Sequence, residues 1–540
     1  MSNFTFTLLR FLALLLLFNS LHQFSAFQSE TPTKRHDHFH IVEFNSLVTA
    51  STCNPSTRDA SEEELLELVH NYGPCSKSKH HSKAKSPSIG EILERGQTRF
   101  NYKQLSANGE NNQIGVKWDS SNTFEYVVSV GLGTPENNLT LVMDTGSSLL
   151  WTQCQPCTLG NIHGCFNQKD PIFDPSKSST YTNITCSSPT CSLANATLGI
   201  TGCSSSTCAY ETGYQDGSIV AGFLAKERLS VGSGTFSDII FGCSEVNVNL
   251  TLAGVDGILG LGQDFVSFVE QTSKTYEKVF SYCLPSKASE VGFLKFGKTN
   301  QVSKSLMFTQ LGADYAIPLA GIKLGNTTLP INLTKDPVVI DSGTVISWLP
   351  SNDYITLRDA YRKAMSHYQL SEPFSILDTC YNVGGQSNLV VPKMSFLFED
   401  GLVLDLPPIG VAFPINSTVV CLPFASNEAA DGNLVLFGNT QQKTLEIEYD
   451  VAGGKIGFGY GVPASLPSLV STVSCLCLPV SLTQTRCLPR SRLDGLVSCL
   501  PLSLGASLSL LAHPSLTRGS PRLKVCLSLS SLTVLGFSGT

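Results

Sequence analysis

Charged residues are scarce in this chain of 540 residues: Asp, Glu, Lys and Arg make up 15% of it. Disordered chains are richer in charge and poorer in apolar groups, whereas 42% of the residues here are apolar, ample for a core. There is no basic excess either. The formal charge of −7 argues against a nucleic-acid binder, which would carry a basic face. Long apolar runs are missing, and the longest, Phe11–Phe18, is too short to span a bilayer. Histidine is sparse through the body of the chain, where residues 119–461 hold only His163 and His367 and no nucleophile-elbow motif. A Ser or Cys hydrolase built around a positioned His therefore has little to work with.

The charge that is present is unevenly spread. Residues 27–118 carry 11 basic and 11 acidic groups, residues 119–461 carry 18 basic against 31 acidic, and residues 462–540 carry 6 basic and one acidic. Six of the ten His lie in 27–118. At roughly 100–200 residues per domain the length allows two to four domains, and the charge pattern suggests at least three pieces. Arg10, the FLALLLLF run and the small residues Ser25 and Ala26 read as a secretory signal peptide over 1–26, against the alternative of a buried helix.

Of the 18 Cys, eleven fall between Cys154 and Cys421, Cys53 and Cys75 lie earlier, and five are in the tail. Export makes disulfides the default. The Cys154/Cys157, Cys186/Cys191 and Cys203/Cys208 spacings would also suit zinc, a reading the oxidising compartment disfavours. Sequons follow at Asn138, Asn183, Asn195, Asn249, Asn326, Asn332 and Asn416, candidate surface glycosylation sites in a secreted chain.

Within 27–118, SEEELLELV from Ser61 carries a helix-start signature, and Ser88–Leu93 is a second helix candidate; little here looks able to fill a core. From Glu125 onward short β-like runs alternate with Gly and Pro: EYVVSVGLGTP, LTLVMD, IIFGC, GILGLG, PVVIDSG, LVLFGN and KIGFGY. The spacing predicts a mostly β body, with helices over Ser351–Tyr368 and Ser267–Tyr276. Residues 462–540 are rich in Leu and Ser without a period of 2 or 3.6, and read as a low-complexity tail expected to be disordered.

One pattern occurs twice. Leu141-Val142-Met143-Asp144-Thr145-Gly146-Ser147 is echoed by Val338-Val339-Ile340-Asp341-Ser342-Gly343-Thr344. In each, an apolar run buries a strand and delivers an Asp at its end. Gly lets the backbone turn and approach closely, and the hydroxyls of Thr145, Ser147, Ser342 and Thr344 can hold the carboxylates. A single D-T-G suits any turn; two copies in the same apolar context point to paired carboxylates. Each copy also has a later apolar-apolar-Gly partner, Gly257–Gly262 and Leu434–Asn439, fitting a strand that passes beside the Asp loop.

These residues resemble the pepsin-like aspartic proteases over about 120–461, and within them the plant nepenthesin type, through DTGSSLLWTQCQPC from Asp144, YQDGS at Tyr214–Ser218, FSYCLP at Phe280, IDSGT at Ile340, LDTCYN at Leu377 and LFGNTQQ at Leu436. The resemblance implies a mostly β, bilobal fold with two similar β lobes, 119–310 (with a Cys-rich insertion over 154–208) and 311–461, and an active-site cleft between them. It implies an aspartic endopeptidase without metal or cofactor, acting as a monomer on protein or peptide substrates. Asp144 and Asp341 would be catalytic, and Gly146 and Gly343 would border the substrate. Tyr214 would sit at the tip of a flap, where Asp-Gly is independently a good hairpin turn, and Trp151 would support it unless it is simply a core Trp.

The resemblance also implies the disulfides Cys154–Cys157, Cys165–Cys243, Cys186–Cys208, Cys191–Cys203 and Cys380–Cys421. Cys283 is left over, because the family's partner at the end of the last strand is missing from GFGYGVPAS; Cys475 is the nearest candidate. Loss of such a bridge costs roughly 2–5 kcal/mol. HNYGPC and SIGEILERGQTR resemble a zymogen prosegment over 27–118, with maturation in 105–120, release driven by protonation of body carboxylates, and the His charges adding mainly repulsion within the segment. The destination would be the apoplast, with vacuole or plastid as alternatives. A rival on the same fold is an inactive inhibitor of cell-wall enzymes, whose Asp motifs or flap are generally altered; both motifs are intact here.

Overall fold

The computed structural model describes residues 38–54, 65–76, 87–107, 125–159, 162–198, 201–213, 219–248, 254–298, 306–427 and 434–460. The signal peptide, Tyr214, Asn249, Cys475 and the tail lie outside them.

The first described elements belong to 27–118. Strand β1, Phe39–Glu43, leads into a single helical turn at Phe44–Leu47. Strand β2, Leu65–His70, stands where the sequence suggested a helix. Leu66 and Leu68 are buried while Glu67 between them is exposed, a period of two imposed by strands on both sides: Val291–Phe296 and the first strand of the body. Tertiary pairing has overridden the helix signal of the Glu run. Helix α1, Ile89–Ala107, forms over the expected Ser88–Leu93 and runs on well past it. Ser88 and Glu91 make a reciprocal cap, Glu91 N–H donating to Ser88 Oγ (3.2 Å) and Ser88 N–H to Glu91 Oε2 (2.6 Å). Contrary to expectation, this region helps fill the core: Phe44, Leu66, Leu68, Leu93 and Phe100 are all buried. Cys53 and Cys75 are bridged, with Cα atoms 4.8 Å apart.

The body is mostly β. Strand β3, Tyr126–Leu132, pairs antiparallel with β4, Asn137–Asp144, and β5 is Trp151–Gln153. Strand β6, Gly257–Gly260, runs parallel to β4 and puts Gly260 opposite Asp144. The second lobe repeats this. Strand β7, Val338–Ile340, pairs parallel with β9, Val435–Phe437, placing Phe437 beside Ile340. Helix α2, Ser351–Ala364, ends four residues short of the expected Tyr368, and strand β8 is Asn388–Pro392. The expected helix over Ser267–Tyr276 is two single turns, Phe268–Gln271 and Ser273–Tyr276, broken at Thr272. Close packing explains the repeated glycines. A Cβ on Gly260 would meet the Ser148 carbonyl at 2.4 Å, and one on Gly438 the Ile346 oxygen at 2.3 Å.

Four of the expected disulfide pairings are replaced. Cys154–Cys243 and Cys157–Cys165 stand instead of Cys154–Cys157 and Cys165–Cys243. The cause is register: β5 runs parallel to Gly234–Val248 with Thr152 opposite Cys243, and Cys154 N–H donates to Ser244 O (2.7 Å). Cys157 and Cys165 then close a small loop, with Gly164 N–H on Cys157 O (2.8 Å). In the insertion, Cys191–Cys208 and Cys186–Cys203 replace Cys186–Cys208 and Cys191–Cys203. Cys191 and Cys208 are both buried in the core that holds Trp151, whereas Cys203 is exposed and meets the half-buried Cys186. Cys380–Cys421 forms as expected, their strands in register. Cys283 is buried, and the disulfides among the described residues do not include it. The six sequon asparagines among the described residues are all exposed. No helix of the described residues is long and apolar enough to cross a membrane.

Candidate active site

Asp144 and Asp341 end their strands almost wholly buried, 1% and 0% exposed. The loops that carry them are near mirror images in their bonding. Gly146 N–H donates to Asp144 Oδ1 (3.0 Å), and Gly343 N–H to Asp341 Oδ1 (2.9 Å). These glycines are needed: a Cβ on Gly146 would stand 2.7 Å from Asp341 Oδ1, and one on Gly343 2.7 Å from Asp144 Oδ1.

The four hydroxyls, expected to bond the carboxylates and their neighbours, divide that labour. Only Thr344 touches a carboxylate, donating to Asp341 Oδ2 at 2.7 Å. Thr145 and Ser342 instead bond across to each other's loop, because their short side chains point along the seam between the lobes. Ser147 Oγ is buried without a partner among the described residues, and so is Asp144 Oδ2. Behind Asp341, Gln442 Nε2 donates to the Asp341 carbonyl (3.2 Å) and Asn439 Nδ2 to the Ser342 carbonyl (3.1 Å), which fixes the second loop through LFGNTQQ.

Between the carboxylates lies Arg99 of α1. Its Nη2 is 2.8 Å from Asp144 Oδ1 and 3.0 Å from Asp341 Oδ1, and its Nε donates to Asp341 Oδ2 at 3.2 Å. Lys103 Nζ, one turn on, is 3.2 Å from the same Oδ2. Burial alone would push the Asp341 carboxyl up, but the Arg99 and Lys103 charges outweigh it and hold the carboxyl well below its ordinary range. Burial would likewise lower Arg99, yet Asp144 and Asp341 raise it above its ordinary value. Next to Arg99, Phe100 stacks on Trp348, centroids 4.5 Å apart and planes 9° apart.

Arg99 and Lys103 are the residues that sequence reasoning missed. Their signal was a basic stripe, Arg95, Arg99 and Lys103, spaced i, i+4, i+8 along one helix face. Two described histidines of this region face the body rather than their own segment: His70 Nε2 lies 3.5 Å from the buried Glu125 Oε1, and the half-buried His40 lies near Lys393.

Trp151 is buried in the core of the first lobe with Val142 and Tyr210. The hairpin expected to carry the flap is present: Thr207–Gly213 pairs antiparallel with Ile219–Val231, and Gly213 opposite Ile219 is its last pair before the tip. Tyr214 itself lies outside the described residues.

Comparison with known proteins agrees with this arrangement. Residues 126–298 match the domain model described as xylanase inhibitor N-terminal, and residues 314–460 match xylanase inhibitor C-terminal. An aspartyl protease family protein of Arabidopsis thaliana is 41% identical over 443 residues, 78% of this chain and 92% of its own. The aspartic proteinase nepenthesin-1 of Nepenthes gracilis is 31% identical over 389 residues, 68% of this chain and 85% of its own. Among solved structures, conglutin gamma, a basic 7S globulin from lupine seeds, has a TM-score of 0.51 at 18% identity, covering 65% of this chain and 96% of its own, a likeness of fold.

Two β lobes that each bring an Asp-[Thr/Ser]-Gly loop to one shared point define the pepsin-like architecture. The chain belongs to the pepsin-like aspartic protease family, and its relatives are plant proteins that include the nepenthesins.

Proposed function

We propose that this chain is the precursor of a secreted aspartic endopeptidase that hydrolyses peptide bonds at acidic pH. One observation carries the reading: a single Arg99 nitrogen lies within 3.0 Å of both Asp144 and Asp341, so the two carboxylates converge on a point the size of a water molecule. With the arginine withdrawn, two facing carboxylates cannot both ionise easily and share a proton. The ionised one takes a proton from a water as it attacks the peptide carbonyl, and the protonated one donates to the carbonyl oxygen. The Asp that took the water proton passes it to the nitrogen as the C–N bond breaks, and a hydroxyl proton of the tetrahedral intermediate returns to the other Asp, with no covalent enzyme intermediate. Base and acid are properties of the pair, so neither role is assigned to one Asp. A flap tip at Tyr214 would close over the peptide and exclude water.

Residues 27–118 are then an inhibitory leader, with α1 as its plug. Acid does not open the plug at its centre. The Asp341 carboxyl is depressed, so its pairing with Arg99 persists at and above the ordinary carboxylate range and is lost only when pH falls through the depressed value. Opening therefore starts elsewhere, at weaker leader contacts or by cleavage. The Arg10–Ala26 segment, the six disulfides among the described residues and the exposed sequon asparagines support export, which we assign to the apoplast.

The name of the matched domain models favours one second reading, a binding protein that inhibits a cell-wall enzyme. Leader-free protein incubated with an unfolded protein at about pH 3–5, with and without pepstatin, separates the two. Pepstatin-sensitive cleavage supports the protease; intact substrate throughout favours the binding protein.

A further inference from the structure

Strand β1 docks far along the chain from the plug, on the second lobe, and nothing in the chemistry of the carboxylates explains it. It pairs antiparallel with β8 from Phe39 opposite Pro392 to Glu43 opposite Asn388. Lys393 N–H donates to His38 O (2.9 Å) at one end, and Phe44 N–H to Ser387 O (2.9 Å) at the other. Antiparallel alternation makes His40 with Val391, and Val42 with Leu389, the hydrogen-bonded pairs between them.

The other side of β8 is already closed: Val390 N–H donates to the Tyr368 hydroxyl (2.8 Å), and Pro392 has no N–H. Among the described residues β1 and β8 form a sheet of two strands by themselves. The segment then turns inward. Phe44 and Leu47 are 5% and 8% exposed and sit in the same core as Leu389 and Val391. Without residues 38–48, β8 would show a row of unpaired backbone groups above an opened apolar site, the condition that invites an added strand.

We infer that Ser387–Lys393 is a strand-docking groove and that residues 38–48 are a separable latch on it, an extended strand followed by two apolar anchors. The latch holds its place by its own contacts and stays seated when the chain between it and β2 is cut. The Cys53–Cys75 bridge ties it to the piece that begins with β2, so a cut in between leaves both on the body. The consequence, a processed protein that carries a short second chain, rests on reading 27–118 as a leader. The docking itself does not.

The test reads binding, so it stands whether or not the protein cleaves peptides. A Cys53→Ser/Cys75→Ser precursor receives a site-specific protease sequence between Thr57 and Glu62, is cut at about pH 7, and is passed over a gel-filtration column. The fragment bearing residues 38–57 is expected to elute with the body; elution on its own overturns the inference. Val42→Pro, which removes the N–H aimed at Leu389, is expected to release the fragment, and retention by that variant equally overturns strand docking. Should the Cys variant fail to fold, the chain with both Cys retained is cut at the same site and followed by hydrogen exchange. The Leu389, Val391 and Lys393 amides are expected to stay as protected as before the cut, and exchange at the rate of unpaired amides contradicts the latch.

Discussion

Thr145 and Ser342 hold each other's loop. Thr145 N–H donates to Ser342 Oγ at 3.1 Å, and Ser342 N–H donates to Thr145 Oγ1 at 3.0 Å. The two lobes are therefore stitched one residue beyond Asp144 and Asp341, and these bonds help to hold the two loops against each other. Thr145→Val keeps the shape but strands the buried Ser342 N–H, at a cost of about 1–3 kcal/mol. Thermal unfolding is expected to shift down accordingly, and kcat to fall more than KM rises, because the loss is in alignment of the pair. Wild-type kcat in this variant would contradict the role.

Arg99 is the second point of leverage. Removing one partner of a buried ion pair is destabilising by about 3–5 kcal/mol, though here the two Asp can relieve part of that by sharing a proton. In an Arg99→Gln precursor α1 is expected to detach more readily, so conversion at about pH 5 quickens by at least about tenfold. Timed gel analysis of precursor shortening checks this. An unchanged rate would mean that Arg99 is not the latch of the plug.

A third prediction concerns stability between mildly acidic and neutral pH. Asp256, immediately before β6, is fully buried; Thr140 N–H donates to its Oδ2 at 2.6 Å and Asp170 N–H to its Oδ1 at 3.3 Å. Burial first, and the nearby Asp170 carboxylate after it, outweigh these N–H donors and push the Asp256 carboxyl up to about 8. A raised carboxyl favours the folded state fully below its ordinary value of 3.8, and that stability is lost as pH rises through about 8. The melting temperature of the leader-free protein is expected to fall between about pH 4 and 8, and to fall less in Asp256→Asn. Parallel curves would sink the assignment.

His40 gives the latch its own pH response. Burial and then Lys393 lower its pKa, against weaker raising effects from Asp405 and the Leu406 backbone. A depressed group docks best uncharged, so the latch is at full strength above the ordinary 6.5 and weakens as pH falls through the lowered value. His40→Gln cannot gain the charge. Exchange protection at Leu389 and Val391 is expected to drop on acidification in wild type and to change less in the variant; identical drops would place the response elsewhere.

The Asp loops and their partner strands were legible in the sequence because everything that makes them is local: an apolar run, an Asp, a Gly and a hydroxyl, repeated. Only the start of α1, Ser88–Leu93, was legible in the sequence; its continuation to Ala107 was not. Strand β2 was misread, since Glu62–Glu64 is a local helix signal while the alternation of Leu66, Glu67 and Leu68 acquires meaning only between two neighbouring strands. Of the five Cys pairings that the resemblance implies, Cys380–Cys421 holds and four do not: within the insertion the buried Cys191 and Cys208 meet in the core, which leaves Cys186 to Cys203. Arg99 was in view as part of a prosegment-like phrase, but that it reaches both carboxylates is a property of how α1 crosses the cleft.

The most direct test of the central claim is the rate of acid cleavage by leader-free Asp144→Asn and Asp341→Asn, each assayed beside wild type on an unfolded protein. If the two carboxylates act as one device, both variants lose activity by about a thousandfold or more while retaining the wild-type melting profile. Near-wild-type cleavage by either variant would show that the pair is not the catalyst.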